Sequence, residues 1–203
     1  MAAINEKSVK EVKKLYYKDK LSVQEVARRL SVSIDAVFYC MRKYGLKRRK
    51  KQESNAIKYQ RSKPSFKLKK IKNRKLEILK VIGVMLYWGE GCKSDKTSMV
   101  DFANSDKDMI IVFLKFLRKI CGIDEKKLRV YSYFYSNQNI KKNINYWSKI
   151  TKIKKSQFTK PYIREDYNEI KKDKMPNGLI HIRYADKKLL NLIKIWIEEY
   201  KKN

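Results

Sequence analysis

The sequence predicts an α+β chain in three parts: residues 1–46, 47–75 and 76–203. Three observations carry that division. The first part holds three short segments whose apolar residues recur at helical spacing, parted by brief polar turns. From residue 47 to residue 75 the apolar pattern fades and Lys and Arg crowd in, with Glu53 as the one acid. Beyond Leu76, helix-period segments alternate with period-two segments, the order expected of helices packed on a small sheet.

In the first part, Val9, Val12, Leu15 and Tyr16 place a helix over residues 6–18, which Asp19-Lys20 breaks. Ser22 is positioned to cap a second helix, with Gln24-Glu25 in its first turn and Val23, Val26, Ala27 and Leu30 on its inner face. After the turn Ser31-Val32-Ser33, Ser33 caps a third helix that runs to Tyr44 and stops at Gly45, with Val37 and Met41 inward. Through residues 47–75, Pro64 and Ser54-Asn55 argue against one continuous helix, so a basic linker is expected.

The second domain begins with Leu76 to Trp88, apolar on nearly every side, which predicts a helix buried all round. It ends at Gly89-Glu90-Gly91, where Gly91 is expected to stop it in the left-handed conformation. Glu90 then sits on the last turn, where the carbonyl end of a helix disfavours an anion and calls for a nearby cation. Gly83, Leu86, Tyr87 and Glu90 share one face, open to a partner helix. A strand over Met99–Ala103 follows, then a helix to Cys121-Gly122, with Ser105 and Asp108 resembling a capping box. Leu128–Ser136 reads as a strand with Leu128, Val130, Ser132 and Phe134 on one face and Arg129, Tyr131, Tyr133 and Tyr135 on the other. Asn139–Ile150 is a helix with Ile140, Ile144 and Trp147 inward, and residues 151–178 are irregular. Leu179–Ala185 is a strand alternating Ile180, Ile182 and Tyr184 against His181 and Arg183, and Asp186 caps a last helix to Tyr200.

Charge narrows the function classes. Across 203 residues, 51 Lys+Arg against 21 Asp+Glu leave a net charge of +30. Such a field favours a polyanion, nucleic acid first and an anionic membrane surface second. No apolar run reaches membrane length and no secretory leader is evident, so an intracellular, cytoplasmic and nucleoid-associated protein with no membrane partner is expected. Cys40, Cys92 and Cys121 are scattered and show no zinc spacing, and His181, the one histidine, excludes a multi-histidine metal site. Gly-rich phosphate loops and nucleophile elbows are absent, so no small-molecule substrate is evident.

Residues 8–49 closely resemble the resolvase and homeodomain-like helix-turn-helix, on Ser22, Val23, Glu25, Val26, Ala27, Val32, Ser33, Val37 and Gly45. That resemblance implies that the third helix enters the major groove. Ile34, Asp35, Ala36 and Tyr39 are then placed to read base edges, and Arg42 and Lys43 to hold phosphates. Lys47, Arg48 and Arg49 open a basic run suited to the backbone or the minor groove.

Residues 83–91, GVMLYWGEG, resemble the LAGLIDADG motif of homing endonucleases, within a similarity covering about residues 76–203. Met85 and Trp88 depart from the family pattern, which bears on how closely such helices pack. The resemblance implies a concave sheet lying on DNA, and here Arg129, Tyr131, Tyr133, His181 and Arg183 are the sheet residues facing it. It also implies two motif helices side by side, each ending in an acid that holds a divalent metal. With no second copy of the motif, that arrangement requires a homodimer through the 76–90 helix. Glu90 and the Gly89 carbonyl would hold Mg2+ in an active nuclease. Lys93, Lys160 and Arg183 are candidates for a cation at the scissile phosphate, and Asp101 for a second carboxylate, though a turn or cap role suits it better. The first hairpin of the family is reduced, with Cys92–Lys96 as a residual strand, and the helix at 139–150 is additional.

Two functions follow. The first is a sequence-specific double-stranded DNA-binding protein of LAGLIDADG ancestry, a regulator without cleavage. The second is an active homodimeric Mg-dependent DNA endonuclease. RNA binding, with tyrosines of the 129–135 strand stacking on bases, is a third alternative.

Overall fold

The computed structural model describes residues 6–165, 167 and 175–202, and divides into two compact units, Met1–Lys63 and Pro64–Asn203. The irregular segment expected over 151–178 includes residues 166 and 168–174, which lie outside the described residues.

The first unit is helical. α1 (Glu6–Lys13) continues into a wider π-helical turn, Lys14–Lys18, and is followed by α2 (Val23–Arg29) and α3 (Ile34–Lys43). The Ser22 side chain accepts from the Glu25 amide while the Glu25 carboxylate accepts from the Ser22 amide. This reciprocal box satisfies two of the amide donors that a helix start leaves orphaned. Ser33 caps α3 by accepting from the Ala36 amide. Val12, Val26, Ala27, Val37, Cys40 and Met41 are buried in one cluster, so the three apolar stripes converge as their spacing requires.

The stretch expected as a linker carries structure on both sides of the division. Lys51–Arg61 forms α4, which buries only Ile57 and clamps to the first unit through a bidentate pair from Arg61 to Glu25 (2.9 and 3.0 Å). Its polar residues tolerate helix, and Ser54-Asn55 sit in its first turns rather than breaking it. Residues 65–69 belong to the second unit, where the Lys67 and Lys69 amides donate to Gly122 and Ile120 carbonyls.

The second unit is α+β: α5 (Arg74–Glu90), β1 (Val100–Asn104), α6 (Lys107–Phe116), β2 (Leu128–Tyr135), α7 (Ile140–Thr151), β3 (Tyr162–Arg164), β4 (Leu179–Tyr184) and α8 (Lys187–Tyr200). Among the described residues the strands form one mixed sheet in the order β1-β4-β2-β3. β4 is antiparallel to both β1 and β2, and β3 pairs parallel to β2 at Tyr133–Tyr162. One face of the sheet supplies Val100, Phe102, Val130, Phe134, Ile180 and Ile182 to a core shared with Phe113, Phe116, Trp147, Leu190 and Ile193 of the helices. The other face carries Asp101, Arg129, Tyr131, Tyr133, Tyr162, His181 and Arg183 away from that core.

Several expectations need correction. β3 was not foreseen, because three residues between Pro161 and Glu165 are too few to establish alternation. Asp106, not Ser105, caps α6, accepting from the Asp108 and Met109 amides. Ile140 lies at the exposed start of α7, and Asn143 is buried in its place. The residual strand at Cys92–Lys96 reduces to a single bridge, Gly91 to Phe102. Gly91 closes α5 in an extended conformation (φ −79°, ψ 151°), not a left-handed one. A Cβ there would lie 2.5 Å from the Tyr87 carbonyl oxygen, so close approach, not backbone sign, is what favours glycine.

Candidate nucleic-acid interface

α3 presents its outer face as its periodicity requires. Val37, Cys40 and Met41 are buried, while Ile34, Asp35, Tyr39, Arg42 and Lys43 are exposed and Ala36 is partly so. Tyr39 is 59% exposed, a large aromatic ring turned mostly to solvent. The basic run beyond α3 divides in function. Lys47 and Arg48 are exposed, with the Arg48 guanidinium 4.7 Å from the Phe38 ring centroid. Arg49 turns inward: its guanidinium stacks 4.0 Å over Tyr16 and donates to the Lys20 and Leu21 carbonyls, and its amide donates to the Tyr16 hydroxyl. Tyr17 likewise donates to the Lys47 carbonyl at 2.7 Å. Arg49 therefore fastens the chain to the helical unit. Its partners, the Tyr16 hydroxyl and the Lys20 and Leu21 carbonyls, lie 28 to 33 residues back along the chain, a relation that a run of basic letters does not display.

α5 is buried on one side only. Gly83, Val84 and Tyr87 are buried, whereas Ile78, Val81, Ile82 and Trp88 are each more than a third exposed. Gly83 meets α6: a Cβ on it would lie 2.1 Å from Cγ of Phe116. Tyr87 stacks on Phe113, with ring centroids 5.9 Å apart, and donates to the Cys92 carbonyl at 2.9 Å. The face expected to receive a second copy is thus occupied by the chain's own α6. The unpartnered stripe is Ile78, Val81, Ile82, Met85 and Gly89, which runs beside a shallow groove of about 370 Å³ reaching Leu86, Met109 and Glu90.

Glu90 ends α5 exposed to solvent, not buried among partners. The cation at this helix end is Lys93, whose ammonium donates to the Trp88 carbonyl at 2.6 Å and reaches that of Gly89 at 3.4 Å. It offsets the carbonyl end of the dipole directly. A divalent metal needs more than these groups supply. Mg2+ takes an octahedron of oxygens, and here one carboxylate and one carbonyl, the latter in contact with Lys93, are what the motif offers. Among the described residues no group of three or more His, Cys, Asp or Glu is placed to hold a metal ion. The described residues of a single chain therefore do not by themselves make up a set that fits the metal. Lys160 is exposed on the approach to β3, and Arg183 lies on β4.

The open sheet face holds a polar cluster centred on Asp101. Asp101 on β1 lies opposite Arg183 on β4. Its carboxylate accepts from Arg183 Nε at 2.8 Å and bonds His181 Nδ1 at 2.7 Å, one oxygen to each. Burial raises the Asp101 pKa, but the His181 hydrogen bond and the charges of His181 and Arg183 outweigh it, leaving the group below its ordinary value. Asp101 thus works mid-strand as a tether, neither in a turn nor as a cap. Around it the Arg183 guanidinium lies 4.7 Å from the Tyr131 ring, His181 lies 5.1 Å from Tyr133, and Tyr133 lies 5.3 Å from Tyr162. Arg129, Tyr131, Tyr133, His181 and Arg183 therefore meet on one surface. Tyr162 joins them, and sequence reasoning missed it because it missed β3.

No family model, curated protein or solved structure matches the chain. No helix among the described residues is long and apolar enough to cross a membrane.

Proposed function

We propose that this chain is a sequence-specific double-stranded DNA-binding protein of LAGLIDADG-like ancestry that acts as a regulator and does not cleave. The observation that carries the reading is the outer face of α3, where exposed Ile34, Asp35 and Tyr39 precede exposed Arg42 and Lys43 on a helical unit. Base edges are read near the start of such a helix, and phosphates are held further along. The net charge of +30 supplies the affinity that does not depend on sequence. Lys47 and Arg48 extend the phosphate-binding surface of that unit.

The nuclease alternative rests on Glu90 standing exposed beside the apolar stripe of α5. A second copy docked on Val81, Ile82 and Met85 would bring two Glu90 carboxylates together, and Mg2+ belongs to the reading only in that homodimer.

Selection of bound sites from a random duplex library tests the proposal. Tyr39→Ala should change the selected sequence, since a base-edge contact contributes about 1–3 kcal/mol of discrimination. Lys43→Ala should weaken all sequences alike. Affinity should fall steeply with salt as counterions are released. A shallow salt slope, or an unchanged site for Tyr39→Ala, refutes the placement of α3 in the groove.

A further inference from the structure

The sheet face differs from a phosphate-gripping surface in where its charges lie. At its centre, both Asp101 oxygens are engaged, one by His181 and one by Arg183, so the guanidinium charge is offset in place. What remains there is aromatic. Tyr133 sits between His181 and Tyr162, at 5.1 and 5.3 Å, and Tyr131 sits 5.3 Å from Tyr133 on the other side. Tyr162, on the edge strand, is 54% exposed. Among the described residues, cations with no carboxylate beside them lie at the rim, with Arg129 and Lys160 both exposed.

An aromatic centre whose guanidinium is paired with Asp101, set within a cationic rim, does not suit a duplex. In a duplex the base faces are already stacked on one another, and a protein meets phosphates and base edges. It suits an unpaired strand, whose bases offer free π-faces while the phosphates reach outward to cations. We propose that this face stacks the bases of an unpaired nucleic-acid segment, with Tyr162 and Tyr133 as the principal rings and Arg129 and Lys160 as phosphate contacts. The inference deepens the reading of the chain as a nucleic-acid-binding protein. It assigns the second unit a single-stranded ligand, distinct from the duplex assigned to α3.

The test is fluorescence anisotropy on the full chain at fixed salt, with four labelled probes of equal length: oligothymidylate, oligouridylate, an abasic strand and a duplex. Both base-bearing strands should bind roughly tenfold or more tighter than the abasic strand, because stacking is worth several-fold or more per base. Whichever of the two binds tighter identifies the segment as DNA or RNA. Tyr162→Leu keeps an apolar side chain but removes the ring, and should lower affinity for the base-bearing strands by roughly tenfold while leaving the duplex unchanged. Tyr162→Phe should behave as wild type. Tyr162 is exposed, so these changes leave the core intact, and circular dichroism checks that they do. Abasic and base-bearing strands binding equally, or Tyr162→Leu matching wild type on every probe, would overturn the inference while duplex binding persists. Failure of the wild type to bind any probe, duplex included, would overturn it together with the proposed function.

Discussion

Gly83→Ala isolates the packing of α5 on α6. The added Cβ would fall 2.1 Å from Cγ of Phe116 and 2.5 Å from its Cβ and Cδ2. Carbon atoms in contact sit at about 3.5–4.0 Å, so the shortfall is roughly 1.5 Å. Phe116 is fully buried, with Phe113 at 5.8 Å and Trp196 at 6.2 Å between ring centroids, so it has no free space to swing into. Overpacking of this kind costs about 1–3 kcal/mol, against a gain of about 0.5–1 kcal/mol from replacing glycine within a helix. The second unit should therefore lose about 1–2 kcal/mol. Gly89→Ala is the control: nothing lies within 4 Å of its Cβ, so it should be neutral or stabilise by about 0.5 kcal/mol. Trp88, Trp147 and Trp196 all lie in the second unit, so tryptophan fluorescence during urea unfolding reports that unit alone. If Gly83→Ala were as stable as Gly89→Ala but shifted the protein from dimer to monomer, Gly83 would face a second copy, and the assignment of that face to α6 would be wrong.

Four further outcomes are expected. Val81→Asp with Ile82→Asp places charge on the exposed stripe of α5, and should abolish self-association in sedimentation while leaving the fold unchanged; a wild type that stays monomeric at every concentration removes the homodimer and, with it, the Mg2+ site. Glu90→Gln should leave site-specific DNA binding and folding intact, since Glu90 is exposed; loss of a measured magnesium-dependent cleavage in this variant would establish the nuclease alternative. Glu25 is held down at about 2 from 4.5, chiefly by the Ser22 amide and then by Arg61. Its contribution is therefore complete above pH 4.5 and lost as pH falls toward 2, and Arg61→Ala should raise its pKa by NMR titration while costing under about 1 kcal/mol at this exposed pair. Asp101 is held below its ordinary value of 3.8, so the stability its carboxylate lends the sheet is present above that pH and fades below it; Asp101→Asn should flatten the acid limb of the second unit's fluorescence-monitored unfolding, and an unchanged limb would show that the tether contributes nothing.

Local pattern determined a great deal of this protein. The apolar spacing of Val9, Val12 and Leu15, and of Val37 and Met41, was enough to say which sides of α1 and α3 are buried, because a helix with one apolar stripe has only one side to hide. Ser22, Ser33 and Asp186 announced helix starts, because capping is satisfied within three residues of the cap. Alternation separated the two faces of β2 and β4, with Tyr131 and His181 on one and Val130 and Ile182 on the other.

Tertiary structure decided what local pattern leaves degenerate. α5 is apolar nearly all round, and its sequence marks the Gly83 face for a helix without saying whether that helix is α6 or a second copy; the match between absent Cβ and Phe116 settles it. β3 is too short to announce itself and exists because β2 offers it an edge. Arg49 and Asp101 look like any surface charge until the fold brings Tyr16 and two carbonyls to one, and His181 and Arg183 to the other. Those partners lie between 28 and 82 residues away along the chain. A pairing across such separations is set by strand register and helix packing, which belong to the whole core and to no single stretch of sequence.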